Sequence, residues 1–303
     1  MTVCDHIDLM QTRALVLGGG GPVGIAWESG ILAGLAESGV DLSQADFICG
    51  TSAGSFVGAR LALGHTPASL VEHHATKEAV VANGIGPEPT LTKLVLKMAA
   101  NAFSKRPPET IRAELGAWAL QAKTSGEGEF LARFVSIDAP WPERNFVCTA
   151  VDTANGEFVV WTRESGIGLS RAVASSCSVP SVYPPITFQG RRYMDGGMRT
   201  ATNADVAKGH DVVVVLALAL GGAPAFIAKA FQPRLEKELQ TLRESGSRVA
   251  LITPDYGSKR ALGINLMDAG RRPAAASSGM RQGRSEAGRL RELWTGKIAP
   301  VSC

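Results

Sequence analysis

The sequence predicts an α/β fold, with a mainly parallel central sheet and helices on both faces. Three observations carry this expectation. Ala14-Leu15-Val16-Leu17 is an apolar run of buried-strand length that passes through a glycine-rich loop, Gly18–Gly24, into a helical pattern. Ala45-Asp46-Phe47-Ile48-Cys49 repeats the move through Gly50-Thr51-Ser52-Ala53-Gly54 into a second helix. Val212–Leu220 is almost unbroken in its apolarity, the mark of a central strand covered on both sides. Strand, loop, helix, strand, turn, helix is the order of parallel strands joined by crossover helices.

Each element follows from local pattern. After the glycine loop, Ile25, Trp27, Ile31, Leu32 and Leu35 recur at helical spacing, and Ser38-Gly39 ends that helix. From about Pro67 to Arg133 the pattern is mainly helical. There Leu91, Leu94, Val95, Met98, Ala99 and Ala102 share one face, with Lys93 and Lys97 off it. The plain reading is a surface helix packed on the core, and the sharper one is a lid or lipid-facing helix. Strands resume at Asn145–Val151 and Glu157–Trp161, with Asp152–Gly156 as a hairpin turn. A helix over about Leu169–Ser178 stops at Pro180. Pro184–Phe188, a Gln189-Gly190 turn and Arg191–Met194 lead into Asp195-Gly196-Gly197, and Arg248–Thr253 reads as a last strand.

Hydrophobic residues make up 45% of the 303 and charged residues 19%, enough for a substantial core. The formal net charge of +3 is too small by itself to argue for nucleic acid, and no nucleic-acid partner is expected. Cys4, Cys49, Cys148, Cys177 and Cys303 show no CxxC spacing, which suits free thiols in a reducing compartment. The first 13 residues lack an apolar run of signal-peptide length. Val212–Ala228 is broken by Gly221-Gly222-Ala223-Pro224 and falls short of the roughly 20 residues of a spanning helix. The expectation is a cytoplasmic protein, with any membrane contact peripheral, whose single domain covers residues 1–303. Its core runs over about 13–253, and a basic tail over about 254–303. From Lys259 that tail holds nine basic residues and three acids, and it reads as a final solvated helix with a mobile approach. Attraction to anionic head groups is the alternative reading.

Gly50-Thr51-Ser52-Ala53-Gly54 is a G-x-S-x-G pattern between a strand and a helix. That setting pushes a serine hydroxyl into the open at a helix N-terminus, where negative charge is favoured. A serine nucleophile needs a base and donors for an oxyanion. The amides of Gly19, Gly20 and Gly21 form a candidate nest, and Ala53 adds a donor just after the nucleophile. Pro22 has no amide hydrogen to give. The five histidines, His6, His65, His73, His74 and His210, are poorly placed for a triad in the order serine, acid, histidine. Asp195 is the better base, since it ends a strand and two glycines let it approach another loop. A plain Asp-Gly turn is the competing reading, and Asp152 is a weaker candidate.

The glycine loop 18–24, Gly50–Gly54 and Asp195-Gly196-Gly197 occur in the order of the patatin-like phospholipase family, which this chain resembles over about residues 13–220. Thr149–Asp152 and Ala172–Pro180 also resemble that family. The resemblance implies a patatin-like three-layer domain and a serine esterase of phospholipase A type. Ser52 would be the nucleophile, Asp195 the base with no histidine, and Gly19–Gly21 the oxyanion loop. The substrate would be a lipid or another acyl ester, with no cofactor and no metal. Where the family commonly has a basic residue before the last loop glycine, Val23 stands here. One alternative is a dinucleotide-binding protein, because Gly19-x-Gly21-x-x-Gly24 follows a strand and opens a helix. Its ribose-binding acid would be Asp46, which starts its strand rather than ending it. A lipid-binding protein without turnover is the other alternative. Oligomeric state is left open.

Overall fold

Arg13–Leu17 (β1) lies at the centre of an eight-stranded sheet in the computed structural model, which describes residues 11–75, 88–101, 104–218 and 225–296. β1 pairs in parallel with β2 (Phe47–Gly50) on one side and with β7 (Val212–Leu216) on the other. β2 pairs in parallel with β3 (Asn145–Asp152), and β7 with β8 (Arg248–Ile252). β4 (Phe158–Trp161), β5 (Ile186–Phe188) and β6 (Arg191–Asp195) run antiparallel at the β3 end. The sheet is therefore mainly parallel, as the sequence predicts.

Alternation along the strands divides the apolar side chains between two faces. Leu15, Leu17, Val212, Val214 and Leu216 pack with Trp27, Ile31, Val57 and Val173 on one face. Those partners come from α1 (Gly21–Glu37), α2 (Ala53–Ala62) and, beyond α3 (Pro67–Ala75), α4 (Glu88–Ala100), α5 (Pro108–Gln121) and α6 (Glu127–Leu131), from α7 (Leu169–Ser176). Ala14, Val16, Val213 and Val215 pack on the other face with Leu239 and Leu242 of α8 (Ala225–Glu244). Helices thus cover both sides. In α4, Leu94 is buried and Met98 packs beside it on Leu115, Val151 and Met194, so these residues form an ordinary packing face. The Leu91 side chain and Ala102 lie outside the described residues.

The last helices depart from expectation. After α9 (Tyr256–Leu262), α10 (Arg272–Thr295) lies in backbone contact with α1 along one face, while Arg281, Arg284, Arg289 and Arg291 stay exposed on the other. Gly30 and Gly34 of α1 face Gly279 and Gly283 of α10. A Cβ at Gly34 would stand 2.9 Å from the Met280 carbonyl carbon, and one at Gly283 would stand 3.0 Å from Leu35 N. Missing side chains let the two backbones touch, and Ala275, Ala276, Leu290 and Trp294 join the main core. Its basic residues are engaged across the fold: Arg281 with Asp255, Arg284 with Glu37, and Arg291 with the Ser38 carbonyl. Among the described residues no helix is long and apolar enough to cross a membrane.

The pairing register of β3 positions the site. Opposite Cys148 stand Gly50 of β2 and Trp161 of β4; opposite Ala150 stand Val159 of β4 and Asp195 of β6. A strand has two edges, and β4 occupies one of them from Cys148 to Val151. β2 and β6 therefore share the other, running toward each other. Their ends, Gly50 and Asp195, fall two β3 residues apart, about 7 Å of strand rise.

Candidate active site

Ser52 sits on the turn between β2 and α2 with φ 53° and ψ −118°. A positive φ is costly for a residue with a side chain, by about 1–3 kcal/mol, and persists only where the surroundings enforce it. The enforcement is visible. A Cβ on Gly50 would lie 2.5 Å from the Gly54 carbonyl oxygen, and one on Gly54 would lie 2.6 Å from Leu17 Cβ, so both flanking positions exclude side chains. Ser176 Oγ accepts from Ser52 N–H at 2.9 Å. The Ser52 carbonyl accepts from Ser55 Oγ at 2.6 Å and from Cys177 Sγ at 3.1 Å. Burial pushes the Cys177 pKa upward, which keeps that thiol protonated as a donor.

Asp195 is 2% exposed and lies within hydrogen-bonding reach of the Ser52 side chain. Its Oδ1 accepts from Gly197 N–H at 2.7 Å, and its own N–H donates to the Ser178 carbonyl at 3.0 Å. Gly196 presses on Thr149 so closely that a Cβ could not fit. Burial drives the Asp195 pKa from 3.8 up to about 7, against the opposing pull of the hydrogen bonds from Ser52 and Gly197. The carboxyl is thus poised to exchange a proton near neutrality. Asp152, the weaker sequence candidate, is held instead by Arg191 at 2.7 Å and caps its own hairpin at Ala154 N–H.

The glycine loop meets the expectation only in part. Gly19 N–H is donated to the Ala201 carbonyl at 2.7 Å, so Gly19 does not belong among the free donors. That bond spans 182 positions, from 201 to 19, and no local pattern announces it. Gly20, Gly21 and Ala53 N–H groups find no acceptor among the described residues. Gly21 adopts φ +58° at the first position of α1, and Gly54 N–H reaches the Gly18 carbonyl at 3.0 Å, tying the loop to α2. Glu28 of α1 is fully buried beside Gly18, and neither carboxylate oxygen meets a hydrogen-bonding partner among the described residues. Burial raises its pKa well above the usual range, so it stands neutral.

His65, His74 and His210 stand elsewhere, and the His73 side chain lies outside the described residues. His65 lies beyond the far end of α2, and His210 stacks on Phe47 where the chain enters β7. His74 is buried between Ser29 and Arg272, and His6 lies outside the described residues. Asp46 accepts from Arg13 N–H at 2.7 Å at the start of β2, the wrong end of the strand for a ribose contact.

Sequence reasoning missed one buried clamp. Asn203, with φ 49°, donates from Nδ2 to Thr51 Oγ1 (3.1 Å), Thr149 Oγ1 (3.3 Å) and the Gly196 carbonyl (3.2 Å). Thr51 and Thr149 bond each other at 2.9 Å. One side chain thereby joins the serine turn, β3 and the aspartate loop. A non-glycine residue favourable to left-handed backbone, eight positions after Asp195, is the one local signal that could have found it.

The family model described as patatin-like phospholipase matches residues 15–208. No curated protein matches the chain. Among solved structures, VipD from Legionella pneumophila is similar at 14% identity and TM-score 0.42, over 91% of this chain and 67% of that one. Human GIVD cytosolic phospholipase A2 is similar at 9% identity and TM-score 0.45, over 94% of this chain and 62% of that one. ExoU in complex with SpcU, from the type III secretion system of Pseudomonas aeruginosa, is similar at 16% identity and TM-score 0.36, over 90% of this chain and 53% of that one. The chain thus spans about half to two thirds of the length of these proteins.

Proposed function

This chain belongs to the patatin-like phospholipase family, and on that premise we propose that it is a lipid acyl hydrolase working through Ser52 and Asp195. One observation carries the reading: a serine on a positive-φ turn and a buried carboxyl with pKa about 7 come within reach of each other where two strand ends meet. Ionised Asp195 takes the hydroxyl proton as Ser52 Oγ attacks the ester carbonyl. The oxygen that gains charge is received by the N–H groups of Gly20, Gly21 and Ala53 at the start of α1 and α2. As the tetrahedral adduct collapses, the carbon–oxygen bond to the alcohol breaks, and Asp195 returns the proton to that alcohol. Water then attacks the acyl-serine ester and gives its proton to Asp195; as the bond from the acyl carbon to Ser52 Oγ breaks, Asp195 returns that proton to Oγ and the fatty acid leaves. Val23 is buried and contributes no charge to the loop, so the oxyanion relies on backbone donors.

The whole of the chain, including α10, acts as one domain in this reading, because α10 shares the main core with β1. Ser52 is 8% exposed, so the nucleophile works in a nearly closed setting that favours dehydrated, apolar esters. The test is hydrolysis of p-nitrophenyl esters of graded acyl length, with labelling by a fluorophosphonate. Wild type should turn over and label at Ser52; Ser52→Ala should lose both with an unchanged circular dichroism spectrum. Full activity in Ser52→Ala, or labelling elsewhere, removes the assignment.

A further inference from the structure

Away from Ser52, a half-open cavity of about 270 Å³ lies between α5, α8 and the segment Met198–Thr200. Five cations and two carboxylates line it. Several of these charges are already committed. Asp205 is gripped by Arg199 through two bonds of 2.6–2.8 Å. Glu238 is buried and accepts from Thr200, Thr202 and Ala204 N–H. Arg106 pairs with Glu114 toward solvent.

Three cations are left facing the cavity. Arg112 is 8% exposed; its Nε donates to the Gly156 carbonyl at 2.6 Å and its Nη2 to Glu109 at 2.8 Å. That fixes the guanidinium while Nη1 has no acceptor among the described residues. Arg234 is half-buried, and no acid or acceptor among the described residues meets its side chain; Lys237, one turn on, is exposed and equally unpaired. Burial, and then the charge of Arg112, both pull the Arg234 pKa down. Arg112 has Glu109 as its partner, but Arg234 stands half-buried beside it with no acid of its own among the described residues, an unfavourable arrangement that an anion relieves.

We propose that this cavity binds a phosphate-type anion, held by Arg112, Arg234 and Lys237. Guanidinium forks match phosphate oxygens in pairs, and lysine adds a compact third charge. The volume falls just below the roughly 300–1,000 Å³ of ordinary small-molecule sites. With charged walls, it suits a single phosphate group, free or esterified, and not an acyl chain. The phosphate can come from a free ester or from a lipid head group, and the proposal is independent of the hydrolase reading.

The test uses the full chain and two probes. Melting is followed in inorganic phosphate and in chloride at equal ionic strength. Sedimentation is measured with phosphatidylcholine vesicles, with and without phosphatidylglycerol. A free-phosphate site gives a saturable rise in Tm in phosphate over chloride. A head-group site gives co-sedimentation that depends on phosphatidylglycerol. In either arm, Arg234→Gln and Lys237→Gln should each weaken the apparent affinity by about 10- to 100-fold, as loss of a charged hydrogen bond does. Without anion, Arg234→Gln should melt at or above wild type, since it removes an uncompensated half-buried charge. Lys237 is exposed, so its variant tests the site even if the other folds poorly. Equal responses to phosphate and chloride together with no vesicle discrimination, or variants that respond like wild type, overturn the proposal.

Discussion

Asparagine in place of Asp195 keeps the shape of the side chain and removes its charge, which makes the pH dependence of stability a direct probe of the site. The folded carboxyl has a pKa of about 7 against 3.8 for the unconstrained group. The difference, about 3 units at about 1.4 kcal/mol each, gives about 4 kcal/mol of strain in holding the ionised form folded. The sign follows from proton counting. Between about pH 4 and 7 the folded protein holds a proton that the unfolded chain has released, so this group's contribution to stability is greatest below pH 4 and is lost as pH rises through 7. The amide mimics the neutral acid at every pH. Asp195→Asn should therefore match wild type within about 1 kcal/mol at pH 5 and exceed it by about 2–3 kcal/mol at pH 8, after about 1–2 kcal/mol for an amide N–H left without an acceptor. Urea unfolding followed by tryptophan fluorescence, from pH 5 to pH 8.5, measures this. The same variant should lose at least about 10²-fold in ester hydrolysis, while wild-type kcat/KM climbs with pH and levels off above about 7. A variant destabilised equally at both pH values, together with a wild-type rate flat through neutrality, would refute a desolvated, ionising Asp195.

Gly34→Ala should destabilise by about 3 kcal/mol or more in urea unfolding, because its methyl would meet the Met280 carbonyl and force α1 from α10. Gly126→Ala, with open space around it, should shift stability by no more than about 0.5 kcal/mol. Asn203→Ala should cost about 2–3 kcal/mol by stranding the Thr51 and Gly196 groups it satisfies, and should lower kcat more than it raises KM. His65→Ala should keep activity within about twofold in steady-state assay, since His65 lies beyond the far end of α2; a loss as deep as that of Asp195→Asn would mean that a histidine serves as the base.

Much of the site was legible because its constraints are local. Gly50 and Gly54 bracket Ser52 in five consecutive residues, and the strand before and helix after them are written in apolar periodicity. The same holds for the glycine loop at the end of β1 and for the aspartate that closes β6. The fold class and the order of these motifs could be read from the sequence alone. Tertiary structure decided what those groups meet. Gly19 N–H is spent on Ala201, Ser176 anchors the Ser52 amide across 124 positions, and Asn203 reaches Thr51 across 152. The approach of Asp195 to Ser52 depends on β2 and β6 sharing one edge of β3, which is a matter of register between strands far apart in the chain. The packed face of the basic last helix is hidden from sequence for the same reason. Its glycines match those of α1 only when the two helices are laid together, and backbone contact between distant segments leaves no period in either one.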